Sequence, residues 1–227
     1  MSGPNRTVPR DAAALVITRR VGRETSVLLG QRHRGHAFTP NKFVFPGGRV
    51  DPSDARAPHV TGLRPDLLAK LTLGCTPARA RALALAAVRE TFEEAGLLVG
   101  RRLPAAPRTR ARAWRAFLAH GVVPALDALE YVARAITPPG NPRRFDTRFF
   151  WVDAAHAHGA ADAALTGSGE LLDLRWVPLS ETPALDLPEA TQLVVAEVAK
   201  RLVARDPRAL PVPFARYTRG GVRLDWL

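Results

Sequence analysis

Residues 89–97 read Arg89-Glu90-Thr91-Phe92-Glu93-Glu94-Ala95-Gly96-Leu97 and place three carboxylates close together on a predicted helix. At about 3.6 residues per turn, Glu90 and Glu94 lie one turn apart on one face, and Glu93 lies beside them. Like charges at this spacing repel each other, so the cluster destabilises the helix unless a cation neutralises it. Hard divalent cations such as Mg²⁺ accept oxygen ligands and often join carboxylates to a substrate phosphate. The stretch therefore favours a metal site that handles phosphate.

The elements around this stretch are predicted from periodicity and from capping residues. The helix that carries the carboxylates begins at Pro77, after the N-cap residue Thr76, and ends before Gly96 as a C-terminal cap. Predicted strands cover residues 11–19, 26–32, 42–45, 97–99, 144–152 and 171–177. Further predicted helices cover residues 65–71, 108–120, 123–131 and 188–205. Strands before, between and after two long helices predict an α/β fold, a mixed α/β sandwich.

Length and composition predict one globular domain. The chain has 227 residues, of which 46% are hydrophobic, and this suffices for a single core over residues 1–227 with a helical excursion at about 104–132. Cys75 is the only cysteine, which excludes an intramolecular disulfide and fits a reducing compartment. Residues 1–10 lack the apolar core of a signal peptide, and no run of apolar residues is long enough to span a membrane. We therefore expect a cytoplasmic protein with no membrane partner.

The net charge of +12 leaves two kinds of anionic partner open, a nucleic acid or a small anionic substrate. The basic residues are nearly all arginines scattered among alanines. The densest cluster comprises Arg101, Arg102, Arg108, Arg110, Arg112 and Arg115, with Trp114 as its interleaved aromatic residue. We interpret this cluster mainly as a solvated helix face, and nucleic-acid binding is the minority interpretation.

The carboxylate stretch also resembles a family motif. Gly48, five further residues and Asp54, followed by residues 89–97, resemble the Nudix box of the Nudix hydrolases, in which a Gly is followed by a Glu and then by the Arg-Glu-rich segment. The chain departs from the box in three ways. Asp54 replaces the first Glu, Thr91 replaces an apolar residue, and the 34 residues 55–88 stand where the family has seven. The resemblance implies a Nudix-type α/β/α sandwich with a mixed central sheet and an insertion at about 55–76.

A second resemblance concerns the substrate. Leu28-Leu29-Gly30-Gln31-Arg32 followed by Phe45-Pro46-Gly47-Gly48 is similar to the signature of the coenzyme A diphosphatase type of Nudix hydrolase. The match is partial, because Ala37 and Asn41 replace the Arg and Gly of that signature. Residues 142–150 and 174–177 also resemble the later strands of an acyl-CoA diphosphatase subgroup that has a long insertion in the box.

The family resemblance implies roles for the residues of the box. By analogy, Glu90, Glu93 and Glu94 hold Mg²⁺ or Mn²⁺, together with a carbonyl group of Gly47 or Gly48. The glycine pair lets the backbone approach metal and phosphate closely. The ions would offset the charge of the diphosphate and activate a water molecule, which attacks one phosphorus.

Other charged residues have a functional and a structural interpretation. Arg89 is interpreted as an orienting partner of a box carboxylate, and an ordinary ion pair within the helix explains it about as well. Arg32, Arg144 and Arg148 are candidates for bidentate phosphate binding. Arg144 and Arg148 could equally form the outward face of a strand. Glu170 is a candidate for positioning water, although an ordinary loop residue is the simpler interpretation.

These observations favour a metal-dependent hydrolase of a nucleoside diphosphate linked to another group. Coenzyme A or acyl-CoA, giving 3′,5′-ADP and a phosphopantetheine, ranks first as the substrate. ADP-ribose, NADH and dinucleoside polyphosphates rank next. A non-catalytic nucleotide-binding Nudix module and an RNA-binding protein remain as alternatives of a different class. Family resemblance also makes a homodimer plausible.

Overall fold

The structure, a computed structural model, describes residues 7–35, 40–105, 107–159, 165, 169–218 and 220–227. Residues 1–6 and Ala37, which enter the sequence predictions, lie outside these ranges. The α-helices within them are α1 (Pro65–Thr72), α2 (Pro77–Ala95), α3 (Arg112–Leu118) and α4 (Glu189–Val203). The strands are β1 (Arg10–Val21), β2 (Glu24–Arg32), β3 (Phe43–Val44), β4 (Gly47–Arg49), β5 (Leu98–Val99), β6 (Arg101–Arg102), β7 (Val122–Val123), β8 (Glu130–Ile136), β9 (Phe145–Asp153), β10 (Ala157–His158), β11 (Leu171–Pro178), β12 (Pro213–Thr218) and β13 (Gly221–Trp226).

A large mixed sheet organises the molecule. Its strand order is β11-β2-β1-β9-β8-β12-β13, with β3 paired to β2 and β4 paired to β1. The central strand β1 pairs in parallel with β9, from Arg10 opposite Phe145 to Thr18 opposite Asp153, and antiparallel with β2 and β4. Strands β8 and β12 form the second parallel pair. The sheet is therefore mixed, as the sequence predicts.

Helices cover both faces of this sheet. Ala13, Leu15 and Ile17 of β1 pack in a core cluster with α1, α2 and α3, whereas Ala14 and Val16 pack in a second cluster with α4. This alternation follows from the period of two in a strand, which sends successive side chains to opposite faces. The predicted α/β/α sandwich is confirmed.

Helix α2 begins and ends at the predicted residues. Oγ1 of Thr76 accepts a hydrogen bond from the N–H of Arg79 at 3.3 Å, and Pro77 occupies the first helical position. Gly96 ends the helix with φ of +71°, and its N–H donates to the carbonyl oxygen of Phe92 at 2.9 Å. A left-handed residue at this position is usually glycine because a β-carbon is disfavoured there. The three box carboxylates consequently lie in the last two turns.

The predicted helical segment at 123–131 is wrong. The structure has the short strand β7, a 3-10 turn at Leu126–Ala128 and the start of β8 in its place. Pro124 has no N–H to donate to a helix. Strand β8 pairs with β9 and β12 in the sheet, and these pairings override the weak local preference for helix.

Two further segments differ in extent from the prediction. The helix predicted over residues 108–120 is limited to α3, and the hairpin formed by β12 and β13 was not predicted. No helix in the described ranges combines the length and apolarity needed to cross a membrane.

Candidate active site

The carboxylates of α2 lie against the short strand β4. Gly48 touches Glu90 so closely that a β-carbon at Gly48 would lie 2.5 Å from Cδ of Glu90. A β-carbon at Gly47 would lie 2.6 Å from the carbonyl oxygen of Ala13 and equally close to Ala14 of β1. Heavy atoms cannot approach to these distances without bonding, so glycine at both positions lets helix and sheet come together.

Arg89 joins the two halves of the split motif. Its Nε and Nη2 donate to Oδ1 and Oδ2 of Asp54 at 2.9 and 3.1 Å. Its Nη1 lies 2.8 Å from Oε1 of Glu90 and 2.7 Å from Oε2 of Glu93, and Nη2 also donates to the carbonyl oxygen of Arg49 at 2.9 Å. Four of these contacts are hydrogen bonds and the one to Glu90 is an ion pair, and the Arg89 side chain is only 6% exposed. Arg89 therefore orients the carboxylates around it.

Asp54 is the fully buried anchor of this network. Its Oδ1 also accepts a hydrogen bond from Nε1 of Trp114 at 3.1 Å, and its Oδ2 accepts one from the N–H of Asp51 at 2.8 Å. Each carboxylate oxygen of Asp54 thus accepts two hydrogen bonds. Asp54 therefore orients Arg89 and binds no ligand itself. Trp114, buried on α3, is a residue of the site that the sequence interpretation missed. The apolar spacing of Trp114, Phe117 and Leu118 was the signal for a buried face.

Burial controls the protonation of the two innermost box carboxylates. Glu94 is buried and accepts a hydrogen bond from the N–H of Gly47 at 2.8 Å. Burial raises the pKa of Glu94 to about 8, although the Gly47 N–H lowers it and the charge of Glu90 raises it further. Burial likewise raises the pKa of Glu90 to about 7, against the lowering effect of the Arg89 guanidinium. The positive charge around these two carboxylates is too small to keep their pKa values at the usual level, and a bound cation would supply the missing charge.

The box carboxylates provide the donor chemistry of a metal site. Within the described ranges, no three Asp, Glu, His or Cys side chains already converge at metal-binding distance. Glu90 and Glu93 both turn to Nη1 of Arg89, and Glu94 turns to the N–H of Gly47. Because Glu90 and Glu93 share one nitrogen, their oxygens are near neighbours, and the 35%-exposed side chain of Glu93 has room to turn. An all-oxygen set of this kind fits Mg²⁺ or Mn²⁺ after side-chain reorientation.

Arg32 and Glu170 approach the same end of the site. Arg32 lies at the end of β2, opposite Leu171 of β11, and Glu170 directly precedes that strand. Burial lowers the pKa of Arg32, and the charges of Glu94 and Glu170 oppose this shift. The structure therefore brings a guanidinium and a fourth carboxylate within electrostatic range of Glu94.

Arg144 and Arg148 do not join this group. Arg144 donates to the carbonyl oxygens of Thr137 and Thr7 at 3.0 and 2.9 Å. The buried Arg148 donates to Oδ1 of Asp11 at 2.7 Å, and Asp11 also binds Arg79 in the first turn of α2. That turn lies ten residues, or about 15 Å along the axis, from Arg89. Both arginines thus have structural partners away from the box carboxylates. The buried Arg148 fits neither of the two sequence interpretations, a phosphate ligand or a residue on the outward face of a strand.

One solved structure is similar to the chain in sequence as well as fold. A NUDIX hydrolase from Alicyclobacillus acidocaldarius shares 30% identity, with a TM-score of 0.64, and the match covers 84% of this chain and 90% of that one. This identity over most of both chains indicates common family membership. No family model and no curated protein matches the chain.

Two more distant structures share the fold alone. The MutT protein from Bacillus halodurans has 15% identity and a TM-score of 0.51, with 95% and 97% of the two chains covered. The NUDIX domain of Shewanella oneidensis NrtR, solved as a complex with ADP ribose, has 14% identity and a TM-score of 0.50, with 87% and 90% covered.

Proposed function

The chain belongs to the Nudix hydrolase family, and we propose that it cleaves the diphosphate of a nucleoside diphosphate linked to a second group. The observation that carries the proposal is the network of Arg89, whose guanidinium ties Asp54 to Glu90 and Glu93 beside Gly47 and Gly48 of β4. A merely solvated helix face would not enclose such a network, because burying charges costs free energy unless each one is paired.

Nudix hydrolases generally use divalent metal ions, and we assign the ligands in this chain to Glu90, Glu93 and Glu94 with the carbonyl of Gly48. When bound, Mg²⁺ or Mn²⁺ offsets the charge of the diphosphate and lowers the pKa of a coordinated water. The raised pKa values of Glu90 and Glu94 support this assignment, since burial outweighs the charges of Arg89 and Arg32 there and a cation would offset it.

The remaining roles follow from the surroundings of each group. Arg32 binds oxygens of the diphosphate, because it is the guanidinium that lies toward Glu94 and its planar fork matches a phosphate. Glu170 orients the attacking water at the same end of the site. Arg89 and Asp54 hold the box carboxylates in place. In the reaction, the water oxygen bonds to one phosphorus, the bond from that phosphorus to the bridging oxygen breaks, and the other phosphate leaves.

Coenzyme A or acyl-CoA is the substrate that we place first. The resemblance of residues 28–32 and 45–48 to the coenzyme A diphosphatase signature supports this choice, and the arginine of that signature, Arg32, ends β2. The products would be 3′,5′-ADP and phosphopantetheine or its acyl derivative. ADP-ribose is the second candidate, favoured by the ADP ribose complex of the fold neighbour from Shewanella oneidensis.

A substrate panel with matched variants tests the proposal. The panel contains CoA, acyl-CoA esters, ADP-ribose, NADH and a dinucleoside polyphosphate, each assayed with Mg²⁺, with Mn²⁺ and with chelator. We expect turnover that requires the metal and falls at least about a hundredfold in Glu93→Gln and Glu94→Gln, because each carboxylate would hold the metal that offsets charge in the transition state. The exposed Glu24 of β2 provides the control variant Glu24→Gln, which should retain full activity.

The possible results separate the classes of function. Full turnover in both box variants would contradict the metal assignment. Binding of a nucleotide with no turnover of any substrate would indicate a non-catalytic module. Tight RNA binding that weakens steeply with added salt would instead favour the RNA-binding alternative.

A further inference from the structure

Strand β13 is the outer strand at one end of the nine-stranded sheet in the described part of the chain. Three of its side chains form an apolar stripe on one face, Val222, Leu224 and Trp226, which are 52%, 42% and 54% exposed. Leu224 lies opposite Ala215, which belongs to the core cluster beneath α4, so the stripe continues that core outward. A groove of about 420 Å³ borders Trp226, and the exposed Val203 at the end of α4 lines its other side. We propose that β13 pairs with β13 of a second copy of this chain.

The hydrogen bonds of the hairpin leave the backbone of the apolar stripe available for this pairing. Val212 and Leu227 exchange both of their backbone hydrogen bonds, at 3.1 and 2.9 Å. Such exchanging pairs alternate along an antiparallel ladder, so Asp225 and Arg223 are the next residues of β13 that bond to β12. The N–H and C=O groups of the apolar stripe therefore point away from β12, toward the open edge. An edge of this kind is a template for another strand.

Charge selects one register among those that the backbone allows. A two-fold axis through Arg223 would place it opposite the partner's Arg223, and an axis through Asp225 would place it opposite the partner's Asp225. An axis through Leu224 instead places Arg223 opposite the partner's Asp225, and Val222 opposite the partner's Trp226. Directly opposed like charges destabilise a sheet and opposite charges stabilise it. The strand is thus self-complementary about Leu224, as a two-fold interface requires.

The charged residues of β13 pair within the hairpin, and Arg223 stays exposed on its surface. Oδ1 of Asp225 accepts a hydrogen bond from Nε of Arg223 at 3.1 Å, and Oδ2 lies 3.2 Å from Nη2 of Arg216. That Oδ2 is buried and accepts no aligned hydrogen bond from the described residues. The side chain of Arg223 is 70% exposed and therefore free to reach across the axis.

A charge exchange tests the interface without unfolding the hairpin. Arg223→Asp removes the contact of Arg223 with Asp225 within the chain, but it also replaces the like-charge pair with Arg216, the opposite residue in the ladder, by an opposite-charge pair. Across the two-fold axis, the same change places a carboxylate at position 223 opposite the partner's Asp225, and this happens at two symmetry-related positions. We expect wild-type dimers by sedimentation velocity at micromolar concentration, and a dissociation constant raised at least about tenfold in Arg223→Asp. The double variant Arg223→Asp, Asp225→Arg restores opposite charges and should restore the dimer.

The control variant carries the same charge change elsewhere. Arg20 is an exposed strand residue at the far end of β1, and Arg20→Asp should leave the dissociation constant unchanged. A monomeric wild-type chain at about 100 μM would overturn the proposal. A dimer that responds equally to Arg20→Asp and Arg223→Asp would also overturn it, because net charge alone would then explain the effect.

Cysteine crosslinking tests the register. In a Cys75→Ser background, Leu224→Cys places two thiols at the two-fold axis, where the Cα atoms of a bonded antiparallel pair are about 5.5 Å apart. This separation suits a disulfide. The matched variant Val222→Cys has similar exposure on the same face, but its two copies lie about 14 Å apart along the strands. Covalent dimers of Leu224→Cys alone support the proposed register, whereas crosslinking of Val222→Cys alone overturns it. Both outcomes are independent of hydrolase activity.

Discussion

Replacing Trp114 by Phe tests whether the network behind the carboxylates is needed for catalysis. The substitution removes the indole N–H that donates to Oδ1 of the buried Asp54 at 3.1 Å. A hydrogen bond to a charged group contributes about 1.5–3 kcal/mol, and the smaller ring adds about 1 kcal/mol for the cavity. We therefore predict that the free energy of unfolding falls by about 2.5–4 kcal/mol. Because Asp54 then restrains Arg89 less firmly, kcat should also fall and half-maximal activity should require more Mg²⁺, with KM for substrate unchanged.

The control for this prediction is a second, half-buried indole. Nε1 of Trp151 donates to Oγ1 of Thr18 at 2.8 Å, far along the sheet from the carboxylates, and a bond between neutral groups contributes only about 0.5–1.5 kcal/mol. Trp151→Phe should therefore lower stability less than Trp114→Phe and leave the Mg²⁺ requirement unchanged. Urea denaturation and Mg²⁺ titration of steady-state turnover measure the two effects. Equal stability losses in both variants, with the same Mg²⁺ requirement, would refute the reasoning.

Further predictions concern pH, backbone packing and the two classes of arginine. In metal-free protein, folded Glu94, with a pKa of about 8 against its usual 4.5, binds protons that the unfolded chain releases. The melting temperature should therefore fall as pH rises through this interval, and Glu94→Gln should flatten that decline in a fluorimetric scan. Gly47→Ala should lower the free energy of unfolding by about 1–3 kcal/mol through overpacking, whereas Gly62→Ala, which has open space around its added carbon, should be nearly neutral in urea titrations. Arg148→Met should lower the free energy of unfolding by about 1.5–3 kcal/mol by removing charged contacts to Asp11 and Asp146, which keep Arg79 and Arg134 as partners, with unchanged turnover per folded molecule. Arg32→Met should instead raise KM in steady-state assays, and an unchanged KM would contradict its substrate role.

The features that the sequence predicted correctly are those with local causes. The bounds of α2 follow from Thr76, Pro77 and Gly96, which act on the backbone within one turn of themselves. The spacing of Glu90 and Glu94 follows from helical geometry alone. The strand before the glycine pair was also predicted, within two residues of β3, whereas β4, which contains the pair, was not.

The features that were missed depend on contacts between distant residues. Strand alternation indicated that Arg148 shares a face with its neighbours, but its carboxylate partner Asp11 lies 137 residues away. Trp114 is adjacent to arginines in sequence, and its role arises from Asp54, 60 residues earlier. The hairpin of β12 and β13 is an exception, because its strands pair locally, from Thr218 opposite Gly221, and its alternating residues were not interpreted as strands. No local pattern contains the other two pairings.

The long separation between Asp54 and Arg89 poses little thermodynamic difficulty for the site. Closing a loop costs about 0.6 kcal/mol more for each doubling of its length, so 34 residues in place of seven cost only about 1.4 kcal/mol. Breaking a buried ion pair costs about 3–5 kcal/mol, which exceeds that penalty, and Asp54 and Arg89 form such a pair through two hydrogen bonds. The intervening segment also forms α1, which buries Leu67 and Leu71 in the core beside α2 and so contributes stability of its own. A motif spaced too widely for an ordinary pattern search can therefore still close into one network, because buried pairing rather than sequence proximity holds it together.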